Sequence, residues 1–89
     1  MPEVWVPQAA QRLTGGQQRV RAAGSTIRQV VDDLERAYPG IKAHLCEGDE
    51  IMPGIAVIVD SEATNIGMLA HVREESEIHF LPAIGGGMA

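Results

Sequence analysis

A single cysteine, Cys46, and a single lysine, Lys42, stand in a chain of 89 residues. The lone thiol has no partner within the chain, so no internal disulfide staples the fold. The opening MPEVWVPQ lacks the basic region and apolar core of a secretory signal. Together these point to the reducing cytoplasm. No apolar run approaches the ~18 to 20 residues that a membrane span needs, and there is no repeat, no dividing linker and no low-complexity block beyond the terminal glycines. Basic excess is missing as well. Twelve carboxylates oppose seven Lys and Arg, giving a formal net charge of -5. That average field repels nucleic acid and anionic membranes and suits a basic partner surface. A chain this short buries roughly 60 to 70% of the surface its unfolded form exposes, enough for one core but not for a deep, walled active site. A self-contained enzyme is therefore disfavoured.

Metal chemistry is thin too. His44 and Cys46 make an incomplete zinc set, and Cys46 beside apolar residues reads as a small core or boundary hydrophobe. Asp49 and Glu50 supply too few oxygens for calcium. His71 and His79 read as surface residues. Glu74, Glu75 and Glu77 form either an acidic docking patch for a basic partner or a solvated loop and strand edge.

The elements that are present follow from pattern. EVWV (Glu3 to Val6) has the aromatic and branched content of a short strand ended by Pro7. After a break at Gly15 and Gly16, Gln18 to Ala22 is a second strand that pairs with it as a wide hairpin. Ser25 or Thr26 caps a helix whose apolar positions, Ile27, Val30, Val31, Leu34 and Tyr38, recur at three- to four-residue spacing. Asp32, Asp33, Glu35 and Arg36 fall on its wet side, and Pro39-Gly40 ends it. IKAHLC gives a short helical turn with Ile41 and Leu45 inward. Glu47 to Glu50 is a charged loop. The branched run from Gly54 to Asp60 predicts a central strand buried on both faces. IGMLAHV gives a brief turn docking Met68 and Leu69. In SEIHFLPA, Ile78 and Phe80 share one face while Glu77, His79 and Leu81 share the other. This order predicts an α+β domain, a small mixed sheet packed on one main helix. It assigns residues 1–84 to the folded domain and 85–89 to a Gly-rich tail.

The end of the chain, FLPAIGGGMA, carries the functional signal. Glycine has the smallest cross-section and the widest choice of backbone angles, so Gly85, Gly86 and Gly87 form a thread able to enter a narrow channel in another protein. By composition alone such a tail also reads as a frayed terminus. It is no phosphate cradle, because no helix follows to offer its first N–H groups. Leu81 lies outward beside Pro82 and Ile84, and with Phe80 these residues make a candidate docking strip leading into the tail.

EIHFLPAIGGG, VWVPQAAQRLTGGQQRV, LERAYPGI and PGIAVIVD together resemble the MoaD/ThiS family of ubiquitin-like β-grasp sulfur carriers, most closely the CysO and QbsE type. The resemblance spans nearly the whole chain and sets the functional tail above the frayed one. It implies a protein cosubstrate rather than an enzyme. An adenylating E1-like enzyme of the MoeB/ThiF type would activate Gly87 and convert it to a thiocarboxylate. That group would donate sulfide to a cysteine-synthase-like or other biosynthetic enzyme. Met88 and Ala89 follow Gly87, so the carboxylate is locked in a peptide bond. The resemblance implies cleavage between Gly87 and Met88 by a JAMM-type zinc metallopeptidase. ATP, magnesium and zinc would be used by the partners, and none would be bound by this chain. Two other readings remain open: a ubiquitin-like modifier joined to lysines through the Gly-Gly end, and a β-grasp binding module with an inert tail.

Overall fold

The helix α1 (Ile27–Ala37) is held at both ends by side chains the sequence places there. Thr26 Oγ1 accepts from the Gln29 N–H at 3.3 Å, and Gln29 reaches back to accept from the Ser25 N–H at 2.8 Å. This reciprocal arrangement satisfies donors that the first turn leaves orphaned. Gly24 precedes it with φ +152, where a Cβ would meet the Val30 backbone nitrogen at 2.8 Å. Only glycine fits there. At the other end Tyr38 N–H closes on Leu34, and Gly40 turns the chain at φ +102. Glu35, expected merely on the wet side, accepts from the backbone N–H groups of Gly40 (3.0 Å) and Lys42 (2.9 Å). Those two bonds hold its carboxyl below the usual range.

The computed structural model describes residues 1–82. Strands β1 (Glu3–Trp5) and β2 (Arg19–Arg21) form the expected antiparallel pair, with Val4 opposite Val20. Between them lies a 3-10 helix, Gln8–Thr14, where the sequence suggested only a connection. The short helix α2 (Lys42–Leu45) follows α1 and turns Ile41 and Leu45 inward, as expected. The charged loop is instead a miniature ribbon. Its strands are β3 (Cys46–Glu47) and β4 (Glu50–Ile51), and Gly48 takes φ +65 in the turn.

Strands β5 (Ile55–Val59), β6 (Glu62–Ala63) and β7 (Glu77–Pro82) complete a five-stranded sheet in the order β2-β1-β7-β5-β6. The central strand is β7, parallel to β1 and antiparallel to β5. This corrects the expectation for β5, of which only Val57 is buried. A continuous branched run marks a strand without fixing its place, and the two-residue β6 leaves β5 partly uncovered. The inner face of the sheet packs Val4, Val20, Val57, Ile78 and Phe80 with Ile27, Val30, Val31 and Leu34 of α1 in one core. One helix across a mixed sheet whose first and last strands are parallel neighbours is the β-grasp arrangement. In the turn at Gly67–Leu69, Met68 is buried, but Leu69 is 68% exposed rather than docked. A three-residue turn points only one of two adjacent side chains inward.

Asp60 and Ser61 take positive φ (51° and 74°) in the two-residue turn from β5 to β6. The Asp60 carboxylate accepts from Glu77 N–H at 2.9 Å and Ser76 Oγ at 2.8 Å, and lies 3.4 Å from Arg73 Nη2. The Glu77 amide first, then the Ser76 hydroxyl and Arg73, hold its pKa below the ordinary value. A folded-state pKa below the unfolded value of about 3.9 means stability present above that pH and lost as pH falls through the folded pKa. The difference in urea midpoint between wild type and Asp60→Asn is therefore expected to be constant at neutral pH and to shrink on acidification below about pH 4. Asn tolerates the left-handed turn, so the comparison isolates the charge. A pH-independent difference would contradict this assignment.

Candidate functional site

The outer face of the sheet begins from alternation. Ile78 and Phe80 point into the core, so Glu77, His79 and Leu81 point out. The parallel register sets Trp5 of β1 beside His79 of β7. Their rings stack with centroids 5.0 Å apart and planes 11° off parallel. On the other side of Trp5, Arg19 of β2 places its guanidinium 5.1 Å from the ring centroid. Arg19 lies 3.8 Å from Glu3, and His79 Nε2 lies 3.6 Å from Glu77 Oε1. Trp5 is therefore flanked by two planar side chains and fixed in orientation. Its Nε1–H is buried and has no partner among the described residues.

Where β7 ends, a groove of about 620 Å³ opens, lined chiefly by Trp5, Val6, Pro7, His79, Leu81 and Pro82. Leu81 is 46% exposed and Pro82 is exposed. Phe80 corrects the expected docking strip. It is 1% exposed and packs in the core, bordering the groove from the inside rather than standing on the outer face with Leu81. Of the remaining predicted site residues, Ile84, Gly85, Gly86, Gly87 and Met88 lie outside the described residues. The groove also gathers Trp5 and Pro7, to which the sequence reading gave no site role. The signal for them lay in the apolar, Pro-terminated first strand, but only the parallel pairing of first and last strands brings that strand to the base of the tail.

The other candidates do not assemble into a site. Among the described residues no group of three or more His, Cys, Asp or Glu is placed to hold a metal. Cys46 is buried with its Sγ 3.9 Å from Met68 Sδ, and burial pushes its thiol pKa up. Glu74, Glu75 and Glu77 are all exposed, and Glu74 lies 2.9 Å from the Met1 amine. A second cleft, lined in part by Asp60, His71, Arg73 and Ser76, lies beside the β5–β6 turn. Of its two carboxylates, Asp60 and Glu62, the first is already used to hold that turn. Among the described residues no helix is long and apolar enough to cross a membrane. An apolar groove thus lies at the end of β7, the strand after which the sequence continues to its glycines.

Comparisons with known proteins bear on that geometry. The ThiS family pattern matches residues 4–87. The sulfur carrier protein CysO of Mycobacterium tuberculosis is 32% identical, over 94% of this chain and 96% of its own length. A chain of the Amycolatopsis orientalis BexX/CysO complex superposes with a TM-score of 0.87 at 32% identity, covering 93% of this chain and 96% of that one. The small archaeal modifier protein 1 of Methanosarcina acetivorans shares the fold, with a TM-score of 0.76 at 20% identity over 97% and 95% of the two chains.

Proposed function

The chain belongs to the ThiS family, and from that premise we propose that it is a sulfur carrier, a protein cosubstrate rather than a catalyst, whose working group is the carboxyl of Gly87. Removal of Met88 and Ala89 by a zinc metallopeptidase frees that carboxylate. An oxygen of it attacks the α-phosphate of ATP in an E1-like partner, and pyrophosphate leaves. A sulfur nucleophile then displaces AMP, leaving a thiocarboxylate that gives its sulfur to a biosynthetic enzyme. Magnesium and the electrostatic stabilisation of the displaced charges come from the partner. The chain contributes the thread and the surface that positions it.

One observation carries this reading: the family match runs through Gly87 and stops there, leaving Met88 and Ala89 beyond it. The groove at Leu81 and Pro82 supports it, because an apolar surface at the root of the tail lets a partner grip the domain while the glycines extend into its active site. The printed name of the mycobacterial relative agrees with it. The fold shared with an archaeal modifier makes attachment to lysines the competing reading. Both begin with the same acyl adenylate. The test is mass spectrometry of a chain ending at Gly87 after incubation with its adenylating partner, ATP and a sulfide source. Replacement of one oxygen by sulfur at Gly87 is expected. Absence of that exchange, with Gly-Gly remnants on target lysines instead, would favour the modifier.

A further inference from the structure

An activated glycyl carboxyl is an electrophile, and a free amine or thiolate on a neighbouring copy of the chain would consume it as an unproductive adduct. We infer that the fold withholds its two side-chain nucleophiles of that strength, Lys42 and Cys46, so that neither side chain serves as an acceptor for the activated end. The purpose of this arrangement rests on the sulfur-carrier reading, but its test does not.

Of the seven Lys and Arg, only Lys42 carries an amine. A guanidinium keeps its proton at neutral pH and does not attack acyl groups. Lys42 opens α2 with its backbone N–H bound to Glu35 Oε1 at 2.9 Å, and its Nζ lies 3.4 Å from Asp32 Oδ1. Its side chain is only 32% exposed. Two carboxylates of α1 thus hold the residue, one at the backbone and one at the amine. Before Nζ can bond to a carbonyl carbon it must leave Asp32 and turn outward from the α1 surface, and the ion pair opposes that movement. Cys46 borders the same shallow depression. Its thiol is buried against Met68. Burial also raises its pKa, away from the thiolate that would react, so attack requires local opening of the fold.

The reaction being suppressed is simple. The Nζ lone pair forms a bond to the glycyl carbonyl carbon, the bond from that carbon to its leaving group breaks, and the amine proton passes to solvent. A chain ending at Gly87 can be made as its C-terminal alkyl thioester and held at mildly alkaline pH without partner enzyme, ATP or added amine. Peptide mass spectrometry then reports the site and yield of inter-chain isopeptides. Wild type, with its Met1 α-amine blocked beforehand, is expected to lose its thioester to water rather than to Lys42. Arg12→Lys, which puts an amine at an exposed position, is expected to form isopeptides at that lysine several-fold faster than at Lys42. Asp32→Asn is expected to raise the Lys42 yield about two- to fivefold, the factor that corresponds to a surface ion pair. Equal rates at Lys42 and the added lysine, or a Lys42 yield indifferent to Asp32→Asn, would overturn the inference. Acetylation of Lys42 relative to the added lysine by an N-hydroxysuccinimide ester measures the same shielding with Asp32 in place. No adenylating enzyme takes part, so failure here is distinct from failure of sulfur exchange at Gly87.

Discussion

Replacing Gly86 with valine in a chain ending at Gly87 is expected to lower thiocarboxylate formation by at least about a hundredfold, the loss that follows when a reacting group is displaced by about 1 Å. The urea midpoint of the variant is expected to match that of wild type. These two expectations separate presentation from folding. Valine adds two methyl groups to a segment required to be slender, and its branched Cβ removes the backbone angles that only glycine reaches. Among the described residues the buried core positions end at Phe80. Single-turnover mass spectrometry with the adenylating partner reads the first quantity, and urea unfolding followed by Trp5 fluorescence reads the second. A variant that is charged with sulfur within a few-fold of the wild-type rate would mean that the tail enters no narrow channel. The uncleaved chain is an internal control, because its Gly87 carboxyl remains an amide and is expected to take up no sulfur.

What could be read from the sequence was what local chemistry determines. The cap at Thr26, the three- to four-residue spacing and the Pro39-Gly40 stop define α1 without reference to any other segment, and the structure places them as expected. The alternation of β7 likewise follows from the strand itself. What escaped were facts of pairing. The parallel contact between β1 and β7 joins residues more than seventy positions apart, and no local pattern encodes it. With that pairing hidden, β5 looked like the central strand and the stack of Trp5 on His79 could not be foreseen. Glu35 shows a second limit. Its position marks a solvent-facing residue, yet the turn at Gly40 brings two backbone donors to its carboxylate. By contiguity Phe80 joins Leu81 in the strip from Phe80 to Ile84, although the two-residue period, itself legible in β7, sends them to opposite faces.

That opposition makes Phe80 and Leu81 a paired experiment on one strand. Phe80→Ala is expected to destabilise the domain by about 3 to 5 kcal/mol, since a fully buried aromatic leaves a cavity that its neighbours fill only in part. Small domains have about 5 to 15 kcal/mol in total, and a loss of that size lowers Tm by roughly 15 to 30 °C. Leu81→Ala, at a side chain 46% exposed, is expected to change stability by no more than about 0.5 kcal/mol. Its effect falls on docking. If Leu81 is an apolar anchor of the groove at the root of the tail, its truncation weakens binding of the adenylating partner by about 10- to 30-fold. KM for the carrier in the adenylation assay reports that loss, with the rate at saturating carrier little changed because Gly87 still reaches the same channel. Thermal melts that shift equally for the two variants would contradict the placement of Phe80 inside and Leu81 outside. An unchanged KM for Leu81→Ala would move the docking surface away from this groove, to a face of the domain that leaves Leu81 in water.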